Sequence, residues 1–68
     1  MSRGKIKNIL EDKGYGFIRA DDGREIFFHR SDLQGVDFKD LQEGDPVDFN
    51  VRRDPRGSGL RAVNVRRV

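Results

Sequence analysis

The apolar residues of this 68-residue chain occur in short segments, most of which alternate apolar and polar residues with a period of two. No segment with the period of a helix reaches about ten residues, which is short for a stable globular helix. Period-two alternation places successive side chains on opposite faces of a strand. The pattern therefore predicts an all-β fold.

Turn-forming residues divide the chain into predicted strands at 4–10, 15–19, 25–29, 47–51 and 60–65. Asp21-Asp22-Gly23 is a strong hairpin signal between the second and third strands. Ser31 is a good N-cap residue and predicts a single helical turn over 31–33, followed by a loop to residue 44. Proline and glycine predict a further turn at 53–59. Because an open sheet of this size would leave exposed edges and an unburied face, we expect a five-stranded barrel.

Strand parity divides the large side chains of the second and third strands between two faces. One face carries Ile18, Ile26 and Phe28. The other carries Tyr15, Phe17, Phe27 and His29. Filling the core is an alternative role for these rings, but the alternation with aliphatic residues favours an outward orientation. Neighbouring exposed rings on a soluble protein are typical of a binding site.

Composition limits the chemistry that the chain can perform. It has no cysteine and a single histidine, and the nearest carboxylates to His29, those of Glu25 and Asp32, form no recognisable catalytic set. We therefore expect no enzymatic activity, no metal site and no cofactor. With no apolar segment long enough to span a membrane and no signal segment, we expect one cytoplasmic domain over residues 1–68 and no membrane contact.

Charge is unevenly distributed along the chain, although the net charge is only +2. Residues 31–51 carry one basic and six acidic side chains, whereas residues 52–68 carry six arginines and one aspartate. The tail arginines are Arg52, Arg53, Arg56, Arg61, Arg66 and Arg67. We expect most of them to be solvated and some to pair with the acidic segment. The asymmetry also suggests a polyanionic partner.

Cations and glycines lie between the predicted outward rings. Lys7, Lys13 and Arg30 can contact phosphates, while the rings stack on unpaired bases at about 1–3 kcal/mol per base. Gly14 and Gly16 would allow bases to approach the backbone closely between the rings. This combination favours binding of single-stranded nucleic acid. Docking of a protein on the same rings is an alternative, although lysine is depleted in such interfaces, and an enzyme ranks third.

Two motifs make the nucleic-acid interpretation more specific. Lys13–Ile18 (KGYGFI) matches the opening of an RNA-binding consensus, and Ile26–His29 (IFFH) follows about ten residues later. With these motifs, the chain resembles bacterial cold-shock domain proteins over essentially its full length. The resemblance extends to Gly4–Lys7, Asp32–Gly35 with Phe38, Leu41–Phe49 and Ala62–Val65. An RNA-recognition-motif fold is a weaker rival, because it has two full helices and the reverse motif order.

The resemblance implies an antiparallel OB-type barrel that binds single-stranded RNA or DNA. It also implies RNA-chaperone activity or a cold-shock-type role in transcription or translation, and we expect a monomer. The family's ligand contacts correspond to Lys7, Lys13, Tyr15, Phe17, Phe27, His29 and Phe38.

Three positions depart from the family pattern. Asn8 replaces the usual tryptophan, and Ile9 and Arg30 replace aromatic residues. The losses remove up to two stacking surfaces, whereas the guanidinium of Arg30 can itself stack on a base and adds a charge. We therefore include Arg30 among the binding residues and expect weaker, more salt-dependent binding than a full aromatic set would give.

Overall fold

The computed structural model describes residues 2–54 and 59–68. Five strands and two 3₁₀ turns occupy these residues: β1 Ser2–Leu10, β2 Tyr15–Ala20, β3 Glu25–His29, a turn at Arg30–Asp32, a turn at Phe38–Asp40, β4 Pro46–Arg53 and β5 Leu60–Arg67. The predicted all-β fold is confirmed, and β1, β2, β4 and β5 extend beyond the predicted bounds. Most of the predicted turn at 53–59 lies outside the described residues. No helix in the described part of the chain is long and apolar enough to cross a membrane.

The strands form a closed barrel in the order β1-β2-β3-β5-β4. All neighbours are antiparallel except β3 and β5, which run parallel and share the register pair Phe27–Arg61. A parallel bridge between Leu33 and Val65 follows this junction. The predicted five-stranded OB-type barrel is therefore confirmed, with one parallel junction that closes it.

The barrel interior contains one apolar core. Its buried side chains are Ile6, Ile18, Ala20, Ile26, Phe28, Leu41, Val47, Phe49, Ala62 and Val65. The set predicted to face inward from β2 and β3 is fully buried, at 0% exposure for each side chain. Leu41 enters the core from the loop before β4. Burial of these side chains is the main stabilising contribution, at about 25 cal/mol per Å² of apolar surface.

An irregularity in β1 changes which residues face outward. The register to β2 shifts between Ile6, which pairs with Ile18, and Asn8, which pairs with Phe17. Strict alternation would place Ile6 and Asn8 on the same face, but the extra residue, Lys7, reverses the parity. Asn8 is consequently exposed on the outer face, while Ile6 stays in the core.

Gly16 faces the interior rather than the space between the rings. A Cβ at Gly16 would lie 2.4 Å from the backbone oxygen of Asn8 and 3.0 Å from the ring of Phe28. The expectation that Gly16 admits bases is therefore wrong: its missing side chain admits the neighbouring strand and a core ring.

We predict that Gly16→Ala lowers the free energy of unfolding by about 1–3 kcal/mol, because the methyl group would displace β1 or Phe28. Urea unfolding of the wild type and variant measures the difference. Gly59→Ala is the matched control, since a Cβ there meets no atom of the described residues within 4 Å. Equal stability of the two variants would contradict this account of Gly16.

Candidate functional site

Three aromatic side chains form a ring cluster on the outer face of β2 and β3, defined as Tyr15, Phe17 and Phe27. The ring centroids of Tyr15 and Phe27 are 5.4 Å apart, and those of Phe17 and Phe27 are 6.1 Å apart. Tyr15 meets Phe17 edge to face at 6.2 Å and 87°. Each ring is half-buried and none belongs to the core. The predicted outward orientation is confirmed.

Strand pairing arranges the outer face of β1, β2 and β3 in rows, because residues paired across strands share a face. The phenylalanine row is Asn8, Phe17 and Phe27, and the tyrosine row is Leu10, Tyr15 and His29. These rows place His29 beside Tyr15, on the face that was predicted for both. The presence of Leu10 beside Tyr15 was not predicted, because it depends on the shifted register of β1.

A reciprocal cap fixes His29 at the end of β3. Its ring Nδ1 accepts a hydrogen bond from the Ser31 backbone N–H at 3.2 Å, and the His29 N–H donates to Asp32 at 3.0 Å. His29, and not Ser31, is therefore the N-cap, and the 3₁₀ turn is Arg30–Asp32 rather than 31–33. The prediction of Ser31 failed because the imidazole supplies the acceptor that a serine hydroxyl usually provides.

An ion pair joins β5 to this turn. Arg61 Nε lies 2.9 Å from Asp32 Oδ2, and Arg61 Nη2 lies 3.2 Å from Asp32 Oδ1. The Asp32 side chain is only 9% exposed. Its hydrogen bonds, together with its negative charge, raise the pKa of the Arg61 guanidinium above the usual value. Since Asp32 Oδ2 also accepts the His29 N–H, one carboxylate connects β5 to the position of His29.

Sequence reasoning assigned no role to the Asp32–Arg61 pair in the site, although pairing of some tail arginines with the acidic segment was predicted. That prediction is confirmed for Arg61, for Arg67 with Asp45 at 3.2 Å, and for Arg66 with Asp48 at 3.7 Å. Arg56 lies outside the described residues. The partner of Arg61 depends on barrel closure, which brings Asp32 into contact across a separation of 29 residues, whereas Asp48 and Arg66 are a register pair of the adjacent strands β4 and β5.

We predict that Asp32→Ala lowers the free energy of unfolding by about 1–2 kcal/mol and accelerates hydrogen exchange at the His29 amide, which loses its acceptor. Denaturant unfolding and amide exchange measured by NMR test both effects. Asp12→Ala is the matched control, because Asp12 is exposed in the β1–β2 turn. Unchanged exchange at His29 would contradict the capping role.

The predicted cations lie around the ring cluster with different neighbours. Lys7, at the shifted register of β1, is paired with Glu25 at 2.5 Å. Lys13 is exposed in the turn before Tyr15. The Arg30 backbone N–H donates to the Gly14 oxygen at 2.9 Å, and a Cβ at Gly14 would lie 3.4 Å from Arg30 Cδ. Arg30 thus lies along the backbone next to Tyr15.

Phe38 occupies a different environment from the other predicted rings. It is half-buried and lies 6.3 Å from the core ring of Phe28, measured between centroids. It packs against the core from the second 3₁₀ turn. The structure therefore does not bring Phe38 into the ring cluster.

The three residues that depart from the family pattern, at positions 8, 9 and 30, lie in different surroundings. Asn8 is exposed at the end of the phenylalanine row, whereas Ile9 pairs with Gly16 and packs against the core. Only Asn8 and Arg30 therefore stand where an aromatic side chain would enlarge the outer surface.

Within residues 2–54 and 59–68, no group of three His, Cys, Asp or Glu side chains could hold a metal ion.

Comparisons with known proteins agree with these observations. The family model "'Cold-shock' DNA-binding domain" matches residues 2–68. The chain is 43% identical over 65 residues to Cold shock protein CspB of Geobacillus stearothermophilus, with 96% of each chain covered. It is 48% identical over 65 residues to Cold shock-like protein of Aquifex aeolicus (strain VF5), covering 94% of this chain and 90% of that protein. The solved structure "drosophila Unr CSD456" aligns with a TM-score of 0.78 and 25% identity, over 98% of this chain and 26% of its own.

Proposed function

The chain belongs to the cold-shock domain family, and on that premise we propose that it binds single-stranded RNA or DNA on the outer face of β1, β2 and β3. The ring cluster is the observation that carries the proposal. Its three rings lie outside the core, where they contact one another at 5.4–6.2 Å. Exposure of aromatic faces to water is unfavourable, and a flat ligand that stacks on them removes this exposure.

Stacking and charge have separate roles in the proposed mechanism. Unpaired bases stack on Tyr15, Phe17 and Phe27, and each stacked base contributes about 1–3 kcal/mol. His29 extends the tyrosine row and offers a further flat ring. Lys13 and Arg30 contact phosphates, and Lys7 joins them when a phosphate competes with Glu25 for its ammonium group.

Phe38 enters the proposal with a more peripheral role. Its half-buried ring lies against Phe28, so it offers an edge of the surface to a base rather than an open face. The position of Phe38 in the family pattern supports its role as a contact residue.

Binding of this kind supports RNA-chaperone activity without any covalent step. A protein that binds only unpaired bases shifts the equilibrium of a hairpin toward its open form by mass action. Stacking tolerates any base, so one surface can act on many sequences. We propose that residues 1–68 act in this way as a single domain and a cytoplasmic monomer, with no catalytic residue and no cofactor.

We predict that a short oligo-pyrimidine quenches the fluorescence of Tyr15, which is the only tyrosine in a chain without tryptophan. Phe17→Ala and Phe27→Ala should each weaken binding by about 5- to 150-fold, the equivalent of one lost stacking contact. Titration of each variant, with circular dichroism to verify folding, provides the measurement.

Val51→Ala is the matched control for these two variants, because Val51 is half-buried on β4, which pairs with neither β2 nor β3. Its affinity should equal that of the wild type. Wild-type Tyr15 fluorescence that does not respond to the oligonucleotide would refute the proposal and would favour a protein-docking surface instead.

We predict that Asn8→Trp tightens binding by about fivefold or more, because an indole at the end of the phenylalanine row adds a stacking surface beside Phe17. Isothermal titration calorimetry avoids interference from the new fluorophore. Asn50→Trp is the matched control, since Asn50 is also exposed but lies on β4. An equal gain in both variants would show that the added indole acts without regard to its position.

A further inference from the structure

Two cations face each other on the outer surface beyond the ring cluster. Lys5 on β1 is in register with Arg19 on β2, and both side chains are exposed. Glu25 on β3 is in register with Arg19 and completes a charged row across the three strands. The charged row shares its face with the phenylalanine row, because Arg19 follows Phe17 by two residues on β2.

The positive charge of this row is not compensated within the described structure. Like charges directly opposite on antiparallel strands are destabilising. Glu25, the carboxylate nearest in register, is bound to Lys7 at 2.5 Å, and the described residues provide no ion pair for Lys5 or Arg19. The single negative charge of Glu25 is therefore set against three cations, Lys5, Lys7 and Arg19.

The other register pair of two cations among the described residues differs in this respect. Arg61 lies opposite Arg52 across β4 and β5, but Arg61 is bound by Asp32. At the turn beyond the charged row, Asp22 is bound to Arg24 at 2.8 Å, and the exposed Asp21 marks the end of the positive surface. The uncompensated pair thus lies between the ring cluster and the β2–β3 turn.

We propose that Lys5 and Arg19 form a second phosphate-binding site, which holds the backbone of the same nucleic-acid strand after it leaves the ring cluster. The inference rests on the proposed function. It extends the binding surface from the ring cluster toward the β2–β3 turn. Two residues along β2 correspond to about 7 Å, so the cations of the charged row lie within one nucleotide of a base stacked on Phe17. The site recognises phosphate alone, without a ring to stack on a base.

A nucleic-acid backbone suits this site better than an acidic protein segment does. The cations continue a face on which flat rings already contact one another, and a single strand presents bases and phosphates along the same path. An acidic peptide would use the cations and leave the rings uncovered. Binding of a long oligonucleotide should therefore involve both parts of the face.

The test compares the double variant Lys5→Gln/Arg19→Gln with wild type on two oligothymidylates, of about four and about ten nucleotides. Tyr15 fluorescence reports binding in both proteins. For the short oligonucleotide, which reaches the charged row with at most one phosphate when its bases cover the ring cluster, we expect a change in slope of no more than about 0.7. For the long one, the slope of log K against log salt should be less steep by about 1.4, from two phosphate contacts at about 0.7 each. Between 50 and 200 mM salt, the double variant should therefore lose roughly sevenfold less affinity than the wild type does.

Arg52→Gln/Arg53→Gln is the matched control, because it removes the same charge from exposed positions on β4. If the double variant matches the wild type on both oligonucleotides, or loses affinity for both to the same extent as the control, the second site is refuted while the proposed function stands. If the wild type itself gives no Tyr15 response to either oligonucleotide, the proposed function fails and the second site fails with it.

Discussion

The packing of Ile18, Ile26 and Phe28 inside the barrel determines the chemistry of its outer surface. All three are fully buried, and adjacent residues in a strand point to opposite sides. Once these side chains occupy the core, Tyr15, Phe17 and Phe27 have no place inside and must lie together on the outside. The core therefore does more than stabilise the fold. It also fixes the orientation of the rings that we assign to base stacking.

Ion pairs distribute the net positive charge unevenly over the barrel surface. The arginines of β5 are largely engaged with the acidic segment, as in the pairs of Arg61 with Asp32 and Arg67 with Asp45. Of the cations on β1 and β2, only Lys7 forms an ion pair with a described residue. Pairing along β5 thus neutralises one side of the protein, and positive charge remains on the side that carries the rings. A net charge of +2 conceals this difference, which matters more than the total for an anionic ligand.

Sequence reasoning predicted the strands and the orientation of the rings because both follow from period-two alternation, which is a local property. It did not predict the parity reversal at Lys7, since a bulge depends on the pairing of β1 with β2 and leaves no local pattern. The cap at His29 was missed because imidazole seldom serves as the acceptor, and the role of Gly16 because its neighbour Phe28 comes from another strand. Partners such as Asp32 and Arg61 become visible only after barrel closure.

The junction of β3 and β5 has a consequence for internal motion. Whereas β1 and β2 are held by register pairs along most of their length, β3 and β5 share the single pair Phe27–Arg61 among the described residues. Because fewer main-chain hydrogen bonds join β3 to β5, local opening at this junction costs less free energy than opening between other strands of the barrel. Phe27 lies at this junction, so local opening between β3 and β5 changes the width of the aromatic surface. The strand pairs on the opposite side of the barrel stay intact.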